Sequence, residues 1–386
     1  MIEQKKLQYD VVSAGGGLSG VFAAAASARA GAKTLLLERT GMLGGMTVQG
    51  MTLGEIYYRT DLLNEFLSIL KKLGGLYGSP DTSSAAINGE TLRLALFRIC
   101  RENNVDVLLY SEACSLQQRK DIVCGLTAFS KNELFRIEAP IVIDATGTGD
   151  LVRSAGVWNA QTPLYAYAAI ILTGLNTTAL SRCREQSFVE DGFATGQPGT
   201  QYRGPLYTQS PVCAVKICAE PGRCLVEFPV GCQVDPLSPL SRTQAITKAH
   251  LRSARLLEAL GKTPGFENVR LSALPPQLIL RQMPTLEAMP HTLSNVPKRV
   301  VAAAVEETGN LQYFSLENLA LTRPGGLMVC GKLAAAITCC TEDNFGTALF
   351  TGEAAGVCAA LAAKKGCLPG EIDTAQIREI LKPDCS

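Results

Sequence analysis

The chain has 386 residues, of which 47% are hydrophobic and 18% charged, and its formal net charge is +1. This composition provides a large core, excludes a disordered chain, and gives no long-range field for holding nucleic acid or an anionic membrane. The two histidines, His250 and His291, exclude a three-histidine metal site. We therefore expect no metal centre and a chemistry that comes from a bound cofactor.

The amino terminus and the apolar runs bear on localisation. Residues 1–10 are polar and lack the apolar stretch of a signal peptide. The longest apolar runs, such as residues 354–363, are shorter than the roughly 18 residues of a membrane helix. We expect a cytoplasmic protein without a membrane span, whose 14 cysteines are mostly reduced and buried. The sequence leaves a homo-oligomer open.

The first forty residues predict a strand, a glycine turn, a helix and a second strand. Residues 9–13 and 33–38 are short and apolar, as buried strands are, and residues 21–30 are rich in alanine. Gly31 is a typical stop at the end of a helix. Together these segments predict one βαβ unit.

The next hundred residues predict helices and a small antiparallel sheet. Helical spacing covers residues 60–73 and 89–103, and residues 105–110 read as a strand. Three alternating stretches between Ser111 and Glu138 predict an antiparallel meander, and residues 140–144 predict another buried strand.

The pattern of predicted strands, loops and helices changes after about residue 155. We predict strands at 165–175 and 224–230, a long loop at 187–211 and a helix at 241–260. A strand at 327–330 and an alanine-rich helix at 347–364 then follow.

The strongest local motif is Gly15-x-Gly17-x-x-Gly20. Its first glycine allows a tight turn, the second lets the backbone approach a pyrophosphate, and the third lets the helix pack on the strand. Glu38 follows 18 residues after Gly20, where an acidic side chain can accept hydrogen bonds from an adenosine ribose. The motif predicts a dinucleotide site and, taken alone, leaves NAD and FAD open.

Later segments favour FAD. A loop with three glycines, residues 39–47, follows Glu38 directly. Residues 145–150 (Ala-Thr-Gly-Thr-Gly-Asp) and Cys330-Gly331 lie at the ends of two further predicted strands. With the glycine motif, these segments resemble the FAD-dependent oxidoreductase family that has a glutathione-reductase-like flavin domain. The nearest match is its branch with an Ala-Thr-Gly-x-Gly-Asp motif.

The resemblance implies a role in cofactor binding for specific residues. The pyrophosphate would lie at the glycine turn, the ribose at Glu38, the adenine against the backbone of the strand after Tyr110, and the flavin at the start of the last long helix. The implied contacts are Gly15, Gly17, Leu18, Ser19, Gly20, Glu38, Arg39, Gly44, Gly45, Met46, Thr47, Ala113, Ala145, Thr146, Gly147, Gly331, Gly346, Thr347 and Ala348. Binding would be non-covalent, because none of them is a histidine or a cysteine.

The resemblance also implies the architecture. We expect an α/β fold with a Rossmann-like FAD-binding domain, made of a parallel sheet, an antiparallel meander and helices. This domain would comprise residues 1–155 and 318–386, and an inserted α+β substrate domain would span residues 156–317. A small-molecule substrate would lie in the cleft between them.

Three residues are candidates for catalysis: Arg281, Tyr57 and His291. The guanidinium of Arg281 could hold a substrate carboxylate or form a structural salt bridge. His291 could exchange protons or lie in a solvated loop, and Tyr57 could orient the substrate or pack at an interface. The chain lacks the second arginine that the family often carries after Arg281, which bears on the substrate class.

The sequence therefore predicts an FAD-dependent oxidoreductase that transfers a hydride between flavin N5 and a small organic substrate. The alternative is an electron-transfer flavoprotein subunit that passes electrons to a partner protein. A non-redox use of the same fold, as in thiazole-forming enzymes, is disfavoured because much of the flavin-side pattern is present.

Overall fold

The computed structural model describes residues 4–49, 59–77, 86–131, 133–157, 164–178, 193–195, 213–217, 221–236, 238–262, 264–274, 277–282, 299–305, 311–337 and 345–382. The strands are β1 (Gln4–Gln8), β2 (Val11–Ala14), β3 (Thr34–Leu37), β4 (Leu76–Tyr77), β5 (Ala86–Ile87), β6 (Asp106–Leu108), β7 (Glu112–Arg119), β8 (Ile122–Ser130), β9 (Glu133–Glu138), β10 (Ile141–Asp144), β11 (Leu164–Thr173), β12 (Phe193–Thr195), β13 (Cys213–Ile217), β14 (Arg223–Val234), β15 (Arg270–Ala273), β16 (Ile279–Gln282), β17 (Val300–Val305), β18 (Leu311–Ser315) and β19 (Leu327–Val329). The helices are α1 (Leu18–Arg29), α2 (Asp61–Lys72), α3 (Gly89–Glu102), α4 (Asp150–Ser154), α5 (Pro239–Leu260), α6 (Leu316–Leu319), α7 (Lys332–Ile337), α8 (Phe345–Lys365) and α9 (Thr374–Leu381), with 3₁₀ turns at Gly45–Gln49 and Pro369–Glu371.

A five-stranded parallel sheet contains the predicted βαβ unit. Its order is β19-β10-β2-β3-β6, and every pairing is parallel. Strands β2, β3 and β10 are buried at every residue, because a parallel sheet is covered on both faces. Parallel strands run in the same direction, so Ala14, Leu37, Asp144 and Val329 end along one edge. Ligands bind at this edge in sheets of this kind.

The predicted meander is confirmed and gains one strand. Strands β7, β8 and β9 pair antiparallel, and β1 adds to β9 in parallel. No element was predicted for β1, because its polar residues show no apolar run and its pairing with β9 joins segments about 130 residues apart.

The predicted helices at 60–73, 89–103, 241–260 and 347–364 are confirmed, with ends that differ by at most two residues. Helix α1 begins at Leu18, three residues before its predicted start, because Gly17 is its N-cap and Gly20 lies inside its first turn. The side chains of Thr60 and Asn88 cap α2 and α3 by accepting backbone N–H groups, which fixes where these two helices begin.

A third sheet, of order β12-β13-β14-β11-β15, lies under helix α5, and β16 also pairs with β11. Strand β12 falls inside the predicted loop at 187–211, whose remaining residues lie outside the described part of the chain. The spacing of His250 from Ile246 and Leu257 predicts that it lies on a packing face of α5, and this prediction is wrong, because His250 is exposed. The buried face follows Ala245, Ala249, Leu256 and Leu260, and His250 is one residue, about 100°, away from it.

Two separate hydrophobic cores result from these layers. The first combines buried residues between 11 and 152 with buried residues between 301 and 381. The second joins β11, β14 and α5, and its members lie between Leu164 and Leu280. The chain therefore leaves the first core after α4 and returns to it at the hairpin of β17 and β18.

Helices α1 and α8 pack at backbone distance. A Cβ atom at Gly352 would lie 2.4 Å from the carbonyl oxygen of Ser19, and one at Gly356 would lie 2.1 Å from that of Ala23.

By length and composition α8 could cross a membrane, although its most apolar part was expected to be too short. However, 94% of its most apolar window is buried inside the protein, as in a core helix.

Helix α8 also carries a buried acidic side chain, Glu353, which sequence analysis did not single out. The hydroxyl of Thr60 donates a hydrogen bond of 2.9 Å to its Oε2, and the same hydroxyl accepts from the backbone N–H of Leu63. Burial raises the pKa of Glu353 to about 7, against the attraction of Arg29. Glu353 therefore links α8 to the start of α2 as a neutral acid at low pH.

This carboxyl predicts a pH-dependent stability. Between pH 4.5 and about 7 the unfolded chain releases the proton while the folded protein keeps it, so the free energy of unfolding falls as pH rises through that window. The loss amounts to about 3 kcal/mol for a shift of this size. Glu353→Gln keeps an acceptor for Thr60 and cannot ionise. Urea unfolding should show the variant gaining stability over the wild type at about pH 8 and little at about pH 5. If the two proteins differed in stability by the same amount at both pH values, the raised pKa of Glu353 would be contradicted.

Candidate functional site

The turn between β2 and α1 is built from glycines with different neighbours. Gly15 has a φ of +116°, and a Cβ there would lie 2.3 Å from the carbonyl oxygen of Ala145. A Cβ at Gly20 would lie 1.9 Å from the carbonyl oxygen of Gly15. Around Gly17, in contrast, the described residues other than its two chain neighbours place no heavy atom within 4 Å of a Cβ position. Two of the glycines therefore let the backbone pack, and the third borders open space.

Helix α1 begins at this open space. Its N-cap, Gly17, provides no side-chain cap, and its first turn contains no acidic residue. The first N–H groups of a helix have no partner inside the helix, and the helix dipole makes this end positive. Leu18 and Ser19 are the first helical residues, so their N–H groups face the position where an anion would be stabilised.

Glu38 holds the turn in place. The side chain is 9% exposed; its Oε2 accepts from the N–H of Gly16 at 2.8 Å, and its Oε1 accepts from the N–H of Thr40 at 2.7 Å. A carboxylate oxygen can accept a second hydrogen bond. The side chain can thus support the backbone and still receive ribose hydroxyl groups.

The loop after Glu38 returns to the glycine turn. The N–H of Gly44 donates to the carbonyl of Gly16 at 2.8 Å, and Gly17 and Gly44 form a parallel bridge. A Cβ at Gly45 would lie 3.2 Å from the Cα of Gly17. Gly45, Met46 and Thr47 begin the 3₁₀ turn that follows. This loop therefore lies beside the same open space as the start of α1, while Arg39 is exposed at its beginning.

A second strand end is organised by Asp144, which sequence analysis did not single out. Its Oδ1 accepts from the N–H and the hydroxyl of Thr146, at 3.1 and 2.6 Å, and its Oδ2 accepts from the N–H groups of Leu151 and Val152, both at 3.0 Å. Burial raises the pKa of Asp144 above its ordinary value, while these hydrogen bonds oppose the rise. Asp144 thereby shapes the predicted segment Ala145, Thr146 and Gly147 and caps α4.

The third strand end meets α1 from the other side. Gly331 has a φ of +62°, and a Cβ there would lie 2.5 Å from Ser19 Oγ. Its N–H donates to Thr351 Oγ1 on α8 at 2.8 Å. The preceding Cys330 is buried, which raises the pKa of its thiol to about 12, so this cysteine is a packing residue and not a thiolate nucleophile.

The remaining predicted cofactor contacts lie on α8 and β7. Gly346, Thr347 and Ala348 are buried in the first turn of α8, which contains no acidic residue. Ala113 is half-buried on β7 opposite Ala128. The N–H of Ser111 donates to the carbonyl oxygen of Glu38 at 2.9 Å, which brings the start of β7 next to the end of β3.

The predicted catalytic residues are only partly described. Arg281 lies on β16, opposite Tyr165 of β11. The ammonium group of Lys332, which follows Gly331, donates to the carbonyl oxygen of Leu280, so β16 meets the third strand end. Tyr57 and His291 lie outside the described residues.

The described part of the chain contains further acidic, histidine and cysteine side chains of the types that bind metals or take part in redox chemistry. There, no group of three His, Cys, Asp or Glu side chains is arranged to hold a metal ion. The cysteines described with their side chains are free thiols, of which Cys100, Cys224, Cys330 and Cys358 are buried and Cys114 is exposed.

Comparison with known proteins identifies the family. The family described as FAD dependent oxidoreductase matches residues 10–293, which is well over half of the chain. The chain belongs to this family. It is therefore an FAD-dependent oxidoreductase with a Rossmann-like FAD-binding fold. Comparison with curated proteins finds no match.

Two solved structures illustrate the fold. A geranylgeranyl bacteriochlorophyll reductase-like protein from Thermoplasma acidophilum superposes with a TM-score of 0.56 at 16% identity, covering 98% of this chain and 83% of the other. The p-nitrophenol 4-monooxygenase from Pseudomonas putida DLL-E4 superposes with a TM-score of 0.50 at 11% identity, covering 98% and 84%. At such identities the likeness concerns the fold alone.

The different surroundings of Gly17 and Gly20 predict different outcomes for the same substitution. Gly17→Val places a side chain in the open space, so we expect a folded protein that no longer binds FAD. Gly20→Val forces a side chain against the backbone of Gly15, so we expect loss of folding. Circular dichroism and FAD fluorescence titration measure both. Normal FAD affinity in Gly17→Val would show that this space does not receive the cofactor.

Asp144 predicts a stability effect without a direct role in binding. Asp144→Ala leaves two buried backbone N–H groups, one part-buried N–H group and one hydroxyl without their acceptor, which should lower the free energy of unfolding by at least about 2 kcal/mol. Thr148→Ala is the matched control, because it removes only the part-buried hydrogen bond to Asp150. Urea unfolding should place the control within about 1 kcal/mol of the wild type. Equal effects of the two variants would contradict the structural role.

Proposed function

We propose that the pyrophosphate of FAD lies in the open space at Gly17, against the N-terminus of α1. The contrast among Gly15, Gly17 and Gly20 is the observation that carries this proposal, since of these three only Gly17 borders space that the described residues leave open. Gly15 and Gly20 then shape the turn, and the N–H groups of Leu18 and Ser19 stabilise the phosphate charge. The residues fit the group, because a positive helix end without a cap faces space that a side chain would fill.

The other cofactor contacts follow from this placement. Glu38 receives the adenosine ribose, and Ala113 receives the adenine through its backbone. The rest of the cofactor extends along the strand ends that meet α1. Its proposed contacts are Arg39, Gly44, Gly45, Met46, Thr47, Ala145, Thr146, Gly147, Gly331, Gly346, Thr347 and Ala348. Binding is non-covalent, since none of these groups is a nucleophile that bonds flavin.

The proposed reaction is a hydride transfer between flavin N5 and a small organic molecule. When bound, the flavin supplies the redox chemistry. The chain's own contribution is to hold the first turn of α8 at the flavin, where a positive helix end would stabilise negative charge. A reductase-like protein and a p-nitrophenol monooxygenase share this fold, which supports a small-molecule substrate. No observation on the described residues favours an electron-transfer subunit.

The substrate is proposed to lie between two domains. The separate cores support a cofactor domain that is interrupted by a substrate domain of about 156–317. Because Val301, Phe314 and Leu316 belong to the first core, we place the return to the cofactor domain near residue 299 rather than 318.

Arg281 is the proposed anchor for an anionic group of the substrate. The contact between Lys332 and the backbone of Leu280 supports this role, because it joins β16 to the segment after Gly331. Arg281→Ala should retain FAD and lower kcat/KM by at least about tenfold, as expected for the loss of a charge-assisted hydrogen bond. Arg281→Lys should recover part of the activity, because it restores the charge without the planar fork.

The competing structural role predicts a different pattern. If Arg281 only forms a salt bridge, both variants should lose melting temperature and show no selective effect on the substrate. Flavin bleaching by candidate reductants, measured beside FAD content and melting temperature, separates the two. Normal turnover in Arg281→Ala would show that Arg281 does not bind the substrate.

A further inference from the structure

Tyr110 has a backbone conformation that its side chain disfavours. Its φ is +54°, in the left-handed region that glycine and asparagine tolerate and that bulky residues avoid. The residue is also 62% exposed, although an aromatic side chain gains free energy from burial. A strained, exposed aromatic residue that the fold nevertheless maintains points to a function for the ring.

The surrounding backbone holds Tyr110 beside the proposed ribose site. Its N–H donates to the carbonyl oxygen of Thr40 at 3.2 Å, and the N–H of the next residue, Ser111, donates to the carbonyl oxygen of Glu38 at 2.9 Å. The side chain of Glu38 in turn accepts from the N–H of Thr40. Tyr110 and Ser111 therefore bond to the two ends of the short segment 38–40, which begins with the carboxylate proposed to bind the ribose.

The ring itself lies over Gly41. A Cβ at Gly41 would lie 2.2 Å from the hydroxyl oxygen of Tyr110 and 2.6 Å from its Cζ, so only a glycine leaves room for the ring in this position. The ring thus lies against the loop after Glu38, while much of the residue remains exposed.

We propose that the ring of Tyr110 packs against the adenine of FAD. The inference rests on the proposed placement of the ribose at Glu38, because adenine is bonded directly to that ribose. Every base has a π-face that can stack on an aromatic ring. Ala113, three residues later on β7, would meet the edge of the same base through its backbone, so one short segment provides both contacts.

The experiment compares variants that separate the ring from the backbone conformation. Tyr110→Gly and Tyr110→Asn remove the ring and accept a positive φ, so the apoprotein should fold with an unchanged or higher melting temperature. Tyr110→Phe keeps the ring. Tyr9→Leu is the matched control, because Tyr9 lies just before β2, at the opposite end of the parallel strands from the glycine turn.

Binding is measured by titrating the apoprotein with FAD, ADP and FMN. FMN contains the flavin without the adenosine, and ADP contains the adenosine without the flavin. Tyr110→Gly and Tyr110→Asn should weaken FAD and ADP binding about tenfold and leave FMN binding unchanged, as expected for a lost stacking contact. Tyr110→Phe and Tyr9→Leu should bind all three ligands within about twofold of the wild type.

Other outcomes overturn the inference in distinguishable ways. If Gly17→Val abolishes FAD binding and Tyr110→Gly binds FAD normally, the cofactor placement stands and the role of Tyr110 is wrong. If FMN and FAD weaken together in Tyr110→Gly, the residue acts through the loop and not through adenine, which also rejects the proposal. If Gly17→Val binds FAD normally, the placement itself is wrong and the role of Tyr110 is rejected with it.

Discussion

Helix α1 approaches its neighbours through close contacts at glycines, where a side chain would meet backbone atoms or the side chain of Ser19. At Gly20 it meets the turn before it, at Gly352 it meets α8, and at Gly331 it meets the end of β19. A β-carbon at any of these positions would lie within 2.5 Å of an atom across the contact. These contacts hold the N-terminus of α1 against the edge of the parallel sheet. The proposed phosphate position depends on them, because the helix end can stabilise an anion only while it stays fixed beside open space.

Two buried carboxylates organise the loops around this helix end. Glu38 accepts backbone N–H groups from the glycine turn and from its own loop, and Asp144 accepts them from the segment that leads into α4. In each case a carboxylate at a strand end accepts hydrogen bonds from backbone N–H groups that a carbonyl oxygen would accept in regular secondary structure. This arrangement lets three loops converge without leaving buried donors unpaired, which would cost about 1–3 kcal/mol for each.

The sequence was sufficient for elements whose signal is local. The glycine motif, the apolar strands and the alanine-rich helices predicted the βαβ unit, the meander and α8, because each depends on neighbouring residues. Asp144 was missed because it looks like the last residue of an apolar strand, and its partners Leu151 and Val152 become visible only when the loop is folded. Strand β1 was missed because its sequence is polar and its pairing is distant. The conformation of Tyr110 has no sequence signal, since tyrosine is rare at positive φ.

A crystal structure of the protein with FAD would test the proposed cofactor position most directly. We expect the pyrophosphate within hydrogen-bond distance of the N–H groups of Leu18 and Ser19, beside Gly17, and the adenosine ribose in contact with Glu38. A structure in which the phosphates lie away from the start of α1, or in which the space at Gly17 stays empty at saturating FAD, would contradict the proposed position.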